Sequence, residues 1–277
     1  MQYQTRSRRI MQNLSDMSGT TALVTGASGG IGAKFAAKLA QRGADLVLVA
    51  RSGDKLEALA SSLRPVYGVR VLTLELDLSE PESPRAMFDW AVKHGVEVGF
   101  LVNNAGGGIG GAASKADPAA IAAMVTLNGL AVVESTVHFL PGMVTRGHGT
   151  IINVTSASAF LPTPYLAAYG GSKAMALAFT LAVGVEVADA GVQVLAVSPG
   201  VTVTGQQSQD ILPAMARFAG LRQPEQVVTT AFRALSKGKV SVVDGRRNAL
   251  FAHLVKRLPD QMASELGRRL TTRLSGL

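Results

Sequence analysis

The chain has 277 residues, no cysteine, four histidines and a formal net charge of +8, which excludes disulfide staples and thiolate metal sites and leaves too few imidazoles for a ligand cluster. The excess positive charge lies at the two ends, up to position 20 and beyond position 236, and the stretch between them is balanced. These basic ends carry few aromatic residues, so no nucleic-acid groove is expected, while a hydrophobic content of 47% supports a large core.

Residues 1–17, with Arg6, Arg8 and Arg9, read as a flexible basic extension that lacks the apolar centre of a signal peptide. No run of about 18 uncharged apolar residues follows, so no membrane span is expected. A metal-free cytoplasmic protein is the simplest expectation. From Thr21 to Val243 strand and helix patterns alternate without a linker or a repeat, which predicts one α/β domain over 18–245 with a doubly wound parallel sheet covered on both faces.

The first strand, from Thr21, runs into Gly26-Ala27-Ser28-Gly29-Gly30-Ile31-Gly32 and then a helical pattern from Ala33 to Gln41. Strand, glycine turn and helix make a phosphate cradle. Gly26 and Gly30 let the backbone turn and approach a pyrophosphate, Gly32 permits close packing, and the helix N-terminus offers N–H groups and a positive dipole. A second strand, Asp45 to Ala50, completes the βαβ unit and ends at Arg51-Ser52. An acidic residue there would suit a ribose 2'-hydroxyl, whereas Arg51 suits a 2'-phosphate, with Ser28 placed to add a hydrogen bond; the cofactor expected is NADP(H).

Strand three, Val69 to Leu76, leads to Asp77-Leu78, where Asp77 reads equally as an N-cap for the helix after Pro81. Strand four, Val98 to Val102, delivers Asn103-Asn104-Ala105-Gly106 and a run of glycines to Gly111, expected to flex beside a nicotinamide. Asn128 falls inside the apolar helix Ile121 to Leu140, where a buried polar side chain needs a partner. Strand five, Thr150 to Thr155, puts Ser156 at the sheet edge where ligands bind in open α/β folds.

Tyr169 and Lys173 then lie four residues apart on a helix reaching about Val187, on one face. A free phenol titrates near 10, and a cation within about 4 to 6 Å lowers that by roughly 1 to 3, so Tyr169 is expected to be an acidified proton donor. Ser158 and Thr155 are decoys for Ser156, His138 and His148 have no nucleophile-elbow context, and Tyr165 is expected to line the substrate mouth. Thr202 and Thr204 follow Pro199-Gly200, and residues 205–220, with Gln206, Gln207, Ile211, Leu212, Met215 and Phe218, read as an amphipathic lid.

The spacing at Thr25–Gly32, Asn103–Gly106, Asn128, Ser156 thirteen residues before Tyr169, Lys173, and Pro199-Gly200 with Thr204 resembles the short-chain dehydrogenase/reductase family over roughly residues 18–245. The resemblance implies a Rossmann fold of about seven strands and a catalytic set of Asn128, Ser156, Tyr169 and Lys173. Ser156 would hold the substrate carbonyl, Tyr169 would give the proton, Lys173 would also bond the nicotinamide ribose, and Asn128 would hold a relay water. It also implies cofactor contacts from Gly26, Ser28, Gly30, Ile31, Gly32, Arg51, Ser52, Asp77, Leu78, Asn104, Ala105, Gly106, Tyr169, Lys173, Pro199, Gly200, Thr202 and Thr204. The reaction implied is NADPH-dependent reduction of an apolar, acyl or polyketide-like ketone to a secondary alcohol, or its reverse, in a homodimer or homotetramer. A dinucleotide-sensing protein without turnover and a nucleotide-sugar epimerase or dehydratase are the alternatives.

Beyond the common fold, 246–277 forms a basic helical tail: Leu250, Phe251, Leu254, Val255 and Leu258 recur at helical spacing, Pro259 interrupts, and Met262, Leu266, Leu270 and Leu274 follow. Subunit packing, cover over a long apolar substrate and a peripheral membrane contact all remain open for it.

Overall fold

A computed structural model describes residues 14–204 and 221–275, the last three as backbone only. The arginines at positions 6, 8 and 9, the amphipathic segment 205–220 and the side chains of Arg273 and Leu274 therefore lie outside the described residues.

Seven parallel strands form one sheet in the order β3-β2-β1-β4-β5-β6-β7. These are β1 (Thr21–Thr25), β2 (Asp45–Ala50), β3 (Val71–Glu75), β4 (Val98–Asn103), β5 (Gly149–Val154), β6 (Val192–Ser198) and β7 (Ser241–Val243). Because β1 pairs with β2 on one side and β4 on the other, successive crossovers run in opposite directions from it, and a crevice opens at the C-terminal ends of β1 and β4. That crevice is where open α/β sheets bind ligands.

Both faces of the central strands are apolar because both are covered. On one side α1 (Gly30–Ala40), α2 (Gly53–Tyr67) and α7 (Pro224–Leu235) bury Phe35, Leu39, Phe100 and Phe232 with Leu46 and Leu48. The Phe35 and Phe232 rings lie 6.3 Å apart, and the Arg42 guanidinium sits 3.9 Å from the Phe232 ring centre. On the other side α3 (Ser83–Lys93), α5 (Ala131–Arg146) and α6 (Ala167–Glu186) bury Met87, Phe139, Met143 and Val183 against Leu23, Leu101 and Ile151.

The apolar segment expected as one helix from Ile121 to Leu140 is instead α4 (Pro118–Val125), a wide π turn (Thr126–Leu130) and then α5. The extra residue in the turn re-aims Asn128, which an uninterrupted helix would not do, and such bulges concentrate at functional sites. Two helical stretches, Pro118–Arg146 and Ala167–Glu186, reach mean hydropathies of 1.6 and 1.2, enough by length and composition to cross a membrane. Every run of 18 residues within these stretches includes Glu134 or Lys173, so neither is the uncharged apolar run that a span was expected to need. Their hydropathy has another use here, since both cover the sheet.

The tail forms α8 (Arg246–Val255) and α9 (Asp260–Ser275), folded onto the same chain. Only part of the expected apolar stripe is packed: Val255 is buried and Phe251, Leu258, Leu266 and Leu270 are half-buried. Asn248, Ala252, Val255, Ala263 and Thr271 are buried, whereas Leu250, Leu254 and Met262 stay 60%, 53% and 58% exposed. The small residue Gly267 lets α9 approach closely, and these three larger side chains stay at the surface.

Candidate active site

The glycine loop is built by exclusion of side chains. Gly26 has φ +64, and a Cβ there would come within 2.8 Å of Ala105 Cα and Asn104 Nδ2. A Cβ on Gly32 would collide with the Gly26 carbonyl, and one on Gly30 (φ +53) would press on Thr204 at 3.0 Å. The first α1 residue is Gly30, the N-cap is Gly29, and no side chain caps the helix, so its N–H groups and positive dipole end face the crevice. Ile31 is buried beneath. This bare, glycine-lined helix start fits a pyrophosphate.

Thr25 stitches the cradle to the next loop. Its Oγ1 accepts from the N–H groups of Asn104 and Ala105 at 2.9 and 3.0 Å and donates to the Val102 carbonyl at 3.3 Å. The Asn104 amide donates to the Thr25 and Gly26 carbonyls at 2.9 and 3.3 Å, so its side chain holds the glycine loop in shape and leaves the backbone of Asn104, Ala105 and Gly106 to line the crevice.

At the ends of β2 and β3, Arg51 stands 72% exposed, 3.6 Å from Asp77. Asp77 Oδ1 accepts from the Ser79 N–H and hydroxyl at 2.9 and 2.7 Å. Part-burial pushes the Asp77 carboxyl up, but the Ser79 hydrogen bonds and the Arg51 charge outweigh it and hold the group below its ordinary value. Asp77 is not an N-cap, since α3 is capped at Glu82. Leu78 is buried in the core beneath, and Ser52 precedes α2 without a side-chain cap bond.

The four residues expected to react converge at the ends of β4 and β5. Ser156 caps the short turn Ala157–Phe160, its Oγ accepting from the Ser158 N–H at 3.2 Å. Lys173 is buried and donates to the Val154 carbonyl at 3.1 Å. Asn128, fully buried, exchanges two bonds with Gly107: its amide donates to the carbonyl at 2.8 Å and its Oδ1 accepts the N–H at 3.1 Å. A Cβ on Gly106 would lie 2.8 Å from Asn128 Oδ1 and 3.0 Å from Lys173 Nζ, and one on Gly108 would rest 3.7 Å from the Tyr169 ring. The glycine run is therefore a thin cover over the phenol and the ammonium.

The protonation pattern departs from the sequence reading. Burial pushes the Tyr169 phenol up, only partly offset by the Ser156 and Ser158 hydroxyls, and burial lowers Lys173 from 10.5 to about 8. The ammonium is directed to Val154, and desolvation is the largest influence on both groups, so the phenol is shifted up and not down as the spacing predicts.

Ser158, set aside from sequence as a decoy, also has a place here. Its Oγ is buried without a hydrogen bond of regular geometry, and its hydroxyl acts on the Tyr169 phenol. Thr155 is a decoy as expected: its hydroxyl is engaged with the Val197 carbonyl at 3.1 Å and Ser198 Oγ at 2.7 Å.

Beyond β6, Pro199 accepts the Ala157 N–H at 2.8 Å, and a Cβ on Gly200 would collide with Asn248 of α8. Thr202 is buried, its hydroxyl on the Gly200 carbonyl at 3.1 Å, and it bridges to Arg222. Arg222 grips the fully buried Asp244 through two bonds of 2.7 and 2.9 Å, and Thr230 adds a third at 2.6 Å. This clamp was not anticipated; an aspartate ending the apolar run Val240–Val243 was its signal. A second unanticipated feature is the buried chain Thr136–Asn103–Asn153–Thr180, with links of 3.2, 2.9 and 2.9 Å, which ties β4 and β5 to α5 and α6 behind the site.

A glycine-lined dinucleotide cradle leading to a Ser–Tyr–Lys cluster defines an oxidoreductase site of the Rossmann type. The sequence profile of the short chain dehydrogenases matches residues 20–212, and the chain belongs to the short-chain dehydrogenase/reductase family, oxidoreductases acting on ketone/alcohol pairs. It is 32% identical over 245 residues to a very-long-chain 3-oxoacyl-CoA reductase of Phaeosphaeria nodorum, covering 84% of this chain and 67% of that one. It is 30% identical over 244 residues to a 7beta-hydroxysteroid dehydrogenase of Collinsella aerofaciens, covering 87% and 92%. It spans only 53% of the corresponding very-long-chain reductase of Podospora anserina. A short-chain dehydrogenase from Sphingobium yanoikuyae, solved in complex with NADPH, superposes with a TM-score of 0.71 at 30% identity, covering 87% of this chain and 96% of that one.

Proposed function

We propose that this chain reduces an apolar or acyl ketone to a secondary alcohol with NADPH, or catalyses the reverse. The observation that carries this is the enclosure of the Tyr169 phenol beside the Ser156 and Ser158 hydroxyls, next to a loop whose glycines leave room above Asn128 and Lys173. A nicotinamide dinucleotide in the cradle would supply the hydride.

The chain's own residues do the rest. The Ser156 Oγ accepts the Ser158 N–H and its hydroxyl faces the Tyr169 phenol, from where it would turn its proton to the substrate oxygen. Tyr169, whose burial favours the protonated phenol, would give its proton to that oxygen, and donors already in place would meet the growing negative charge. Lys173 supplies the buried positive charge that favours the phenolate left behind, and it stands within reach of a ribose passing Gly106. Asn128 fixes Gly107 and so holds the loop over the site. Arg51, more than two-thirds exposed and only loosely paired, is available to a 2'-phosphate, which supports NADPH over NADH. The relatives support ketones flanked by bulky or long groups. We read 18–245 as the catalytic unit, the tail as an extension of it, and the cytoplasm as its setting.

We further propose a homo-oligomer through α5 and α6, where Leu130 at the end of the π turn and Val137 and Val144 of α5, spaced seven residues apart, are 42%, 53% and 39% exposed, as is Met175 of α6 at 39%. NADPH consumption across a panel of ketones, repeated with NADH, tests the reaction. Turnover with NADPH at least tenfold more efficient than with NADH is expected, and no turnover of any ketone would overturn the reading.

A further inference from the structure

Tyr165 is the one non-glycine among the described residues with a left-handed backbone, φ +64. A bulky side chain rarely adopts that conformation unless its surroundings enforce it, and such positions concentrate at functional sites. The neighbours that hold Tyr165 come from three parts of the chain.

The first is its own turn. Thr163 Oγ1 donates to the Leu166 carbonyl at 3.2 Å, and the Leu166 N–H donates back to the Thr163 carbonyl at 2.9 Å, fixing the residues on either side of Tyr165 immediately ahead of α6. The second is the glycine run: the Gly111 N–H donates to the Tyr165 carbonyl at 2.8 Å, and a Cβ on Gly110 would sit 3.3 Å from Leu166 and 3.5 Å from the Tyr165 carbonyl oxygen. Since Gly108 of this run also lies on the Tyr169 ring, one short loop joins Tyr165 to the reacting phenol.

The third is the tail. At Gly267, α9 passes so close to the loop that a Cβ would collide with the Pro162 carbonyl and stand 3.3 Å from Pro164 Cδ. Gly267 is buried, and its own carbonyl accepts the Thr271 hydroxyl at 2.9 Å. The neighbouring Arg268 is near enough to interact with the Tyr165 phenol. From α8, Lys256 lies 4.7 Å from the Phe160 ring centre at the other end of the same loop.

We propose that the C-terminal helix braces the loop Pro162–Tyr165 through the side-chain-free contact at Gly267, making Tyr165 a specificity-determining residue that sets how bulky a ketone reaches Tyr169. Gly267 is the positioning residue in this arrangement. Any side chain there moves α9 away from Pro162, which releases Tyr165 and the glycine run bonded to it. Tyr165 and the 40%-exposed Ile109 then present an altered entrance to a wide substrate, while a narrow one passes as before. The glycine loop at Gly26–Gly32, which would hold the pyrophosphate, makes none of these contacts with α9.

The inference about specificity rests on the ketone-reductase reading; the bracing itself does not. The test uses the full chain and the variants Gly267→Ala, Gly267→Val and Tyr165→Gly. Kinetics with NADPH would compare cyclohexanone with trans-1-decalone, NADPH affinity would be followed by fluorescence, and hydrogen exchange would be followed in the peptide 106–113. For Gly267→Val, exchange of that peptide is expected to be at least tenfold faster, and the KM ratio of decalone to cyclohexanone to change at least fivefold, with NADPH affinity within twofold of the parent. Gly267→Ala, the milder change, and Tyr165→Gly, which removes the constraint with the tail intact, should shift both readouts the same way. Unchanged exchange in all three variants overturns the bracing. Faster exchange with an unchanged KM ratio, or an equal loss of turnover on both ketones, overturns the specificity role. If the parent protein reduces neither ketone, the reductase reading has failed, and the exchange result still decides the bracing.

Discussion

Lys173 is a charge held where water is scarce, and its removal has a calculable consequence. The residue is 4% exposed and its ammonium has the Val154 carbonyl at 3.1 Å; burial takes it from 10.5 down to about 8. That difference of about 2.5, at about 1.36 kcal/mol for each pH unit, makes the folded ammonium cost about 3 kcal/mol at pH 7. The folded value lies below the unfolded one, so the full cost is present below pH 8. Between about 8 and 10.5 the unfolded chain retains a proton that the folded chain has released, and stability rises with pH.

Lys173→Met keeps the apolar stem and removes the charge, but it leaves the Val154 carbonyl without this donor, at about 1 to 3 kcal/mol. The balance is a variant more stable than the parent by about 1 kcal/mol at neutral pH and less stable at alkaline pH, where the parent lysine is neutral and still donates. Urea unfolding of both proteins without cofactor, at neutral pH and near the upper end of that window, measures this. A variant less stable at both, or a difference independent of pH, would refute the burial argument. Because the same charge is needed to favour the phenolate, this stabilised variant should lose activity.

Three further outcomes follow from the same geometry. Arg51→Asp should weaken NADPH about tenfold to a hundredfold and leave NADH equal or better, since a charge-assisted pair is worth roughly 1.5 to 3 kcal/mol and little is gained from the exposed contact with Asp77; equal titration curves for the two cofactors with the parent protein would contradict the assignment. Arg222→Ala strands the fully buried Asp244 and should destabilise by about 3 to 5 kcal/mol in urea, toward the lower figure because Thr230 still donates; a loss below 1 kcal/mol would show the clamp to be idle. For Tyr169, burial holds the phenol above its ordinary value, so the ultraviolet difference titration between the parent and Tyr169→Phe, both without cofactor, should show no phenol ionising below about pH 10, and an ionisation near neutrality would restore the acidified phenol expected from spacing.

What was legible in the sequence was whatever periodicity and glycine placement encode. The βαβ start, the strand ends carrying Arg51, Asn104 and Ser156, and the helix bearing Tyr169 and Lys173 follow from alternation and from backbone positions where only glycine fits. Spacing also placed Asn128 on its helix, but not the π turn around it, which depends on the carbonyl of Gly107, twenty-one residues earlier. The upward shift of Tyr169 escapes the spacing argument for a related reason: spacing reports that two groups share a helix face, whereas the shift follows from how much water the sheet and the glycine run exclude.

The tail shows the same limit. Its apolar residues suggested the packed face, and Val255 is buried as they imply, yet the contact at backbone distance falls on Gly267, and Ala252 and Ala263 are buried while Leu250, Leu254 and Met262 stay exposed; hydrophobicity gives such small residues little weight. Asp244 and Arg222, twenty-two residues apart, meet because β7 pairs with β6 and Arg222 bridges to Thr202 just beyond β6.

The central claim is that Tyr169 transfers a proton to a ketone oxygen in an NADPH-dependent reduction. The direct measurement is the rate of NADPH consumption by the parent protein and by Tyr169→Phe on the same ketone, with NADPH affinity determined for both. Retained affinity with a rate at least a thousandfold lower is the predicted result, in keeping with a positioned proton donor; turnover by the variant within tenfold of the parent would contradict the account.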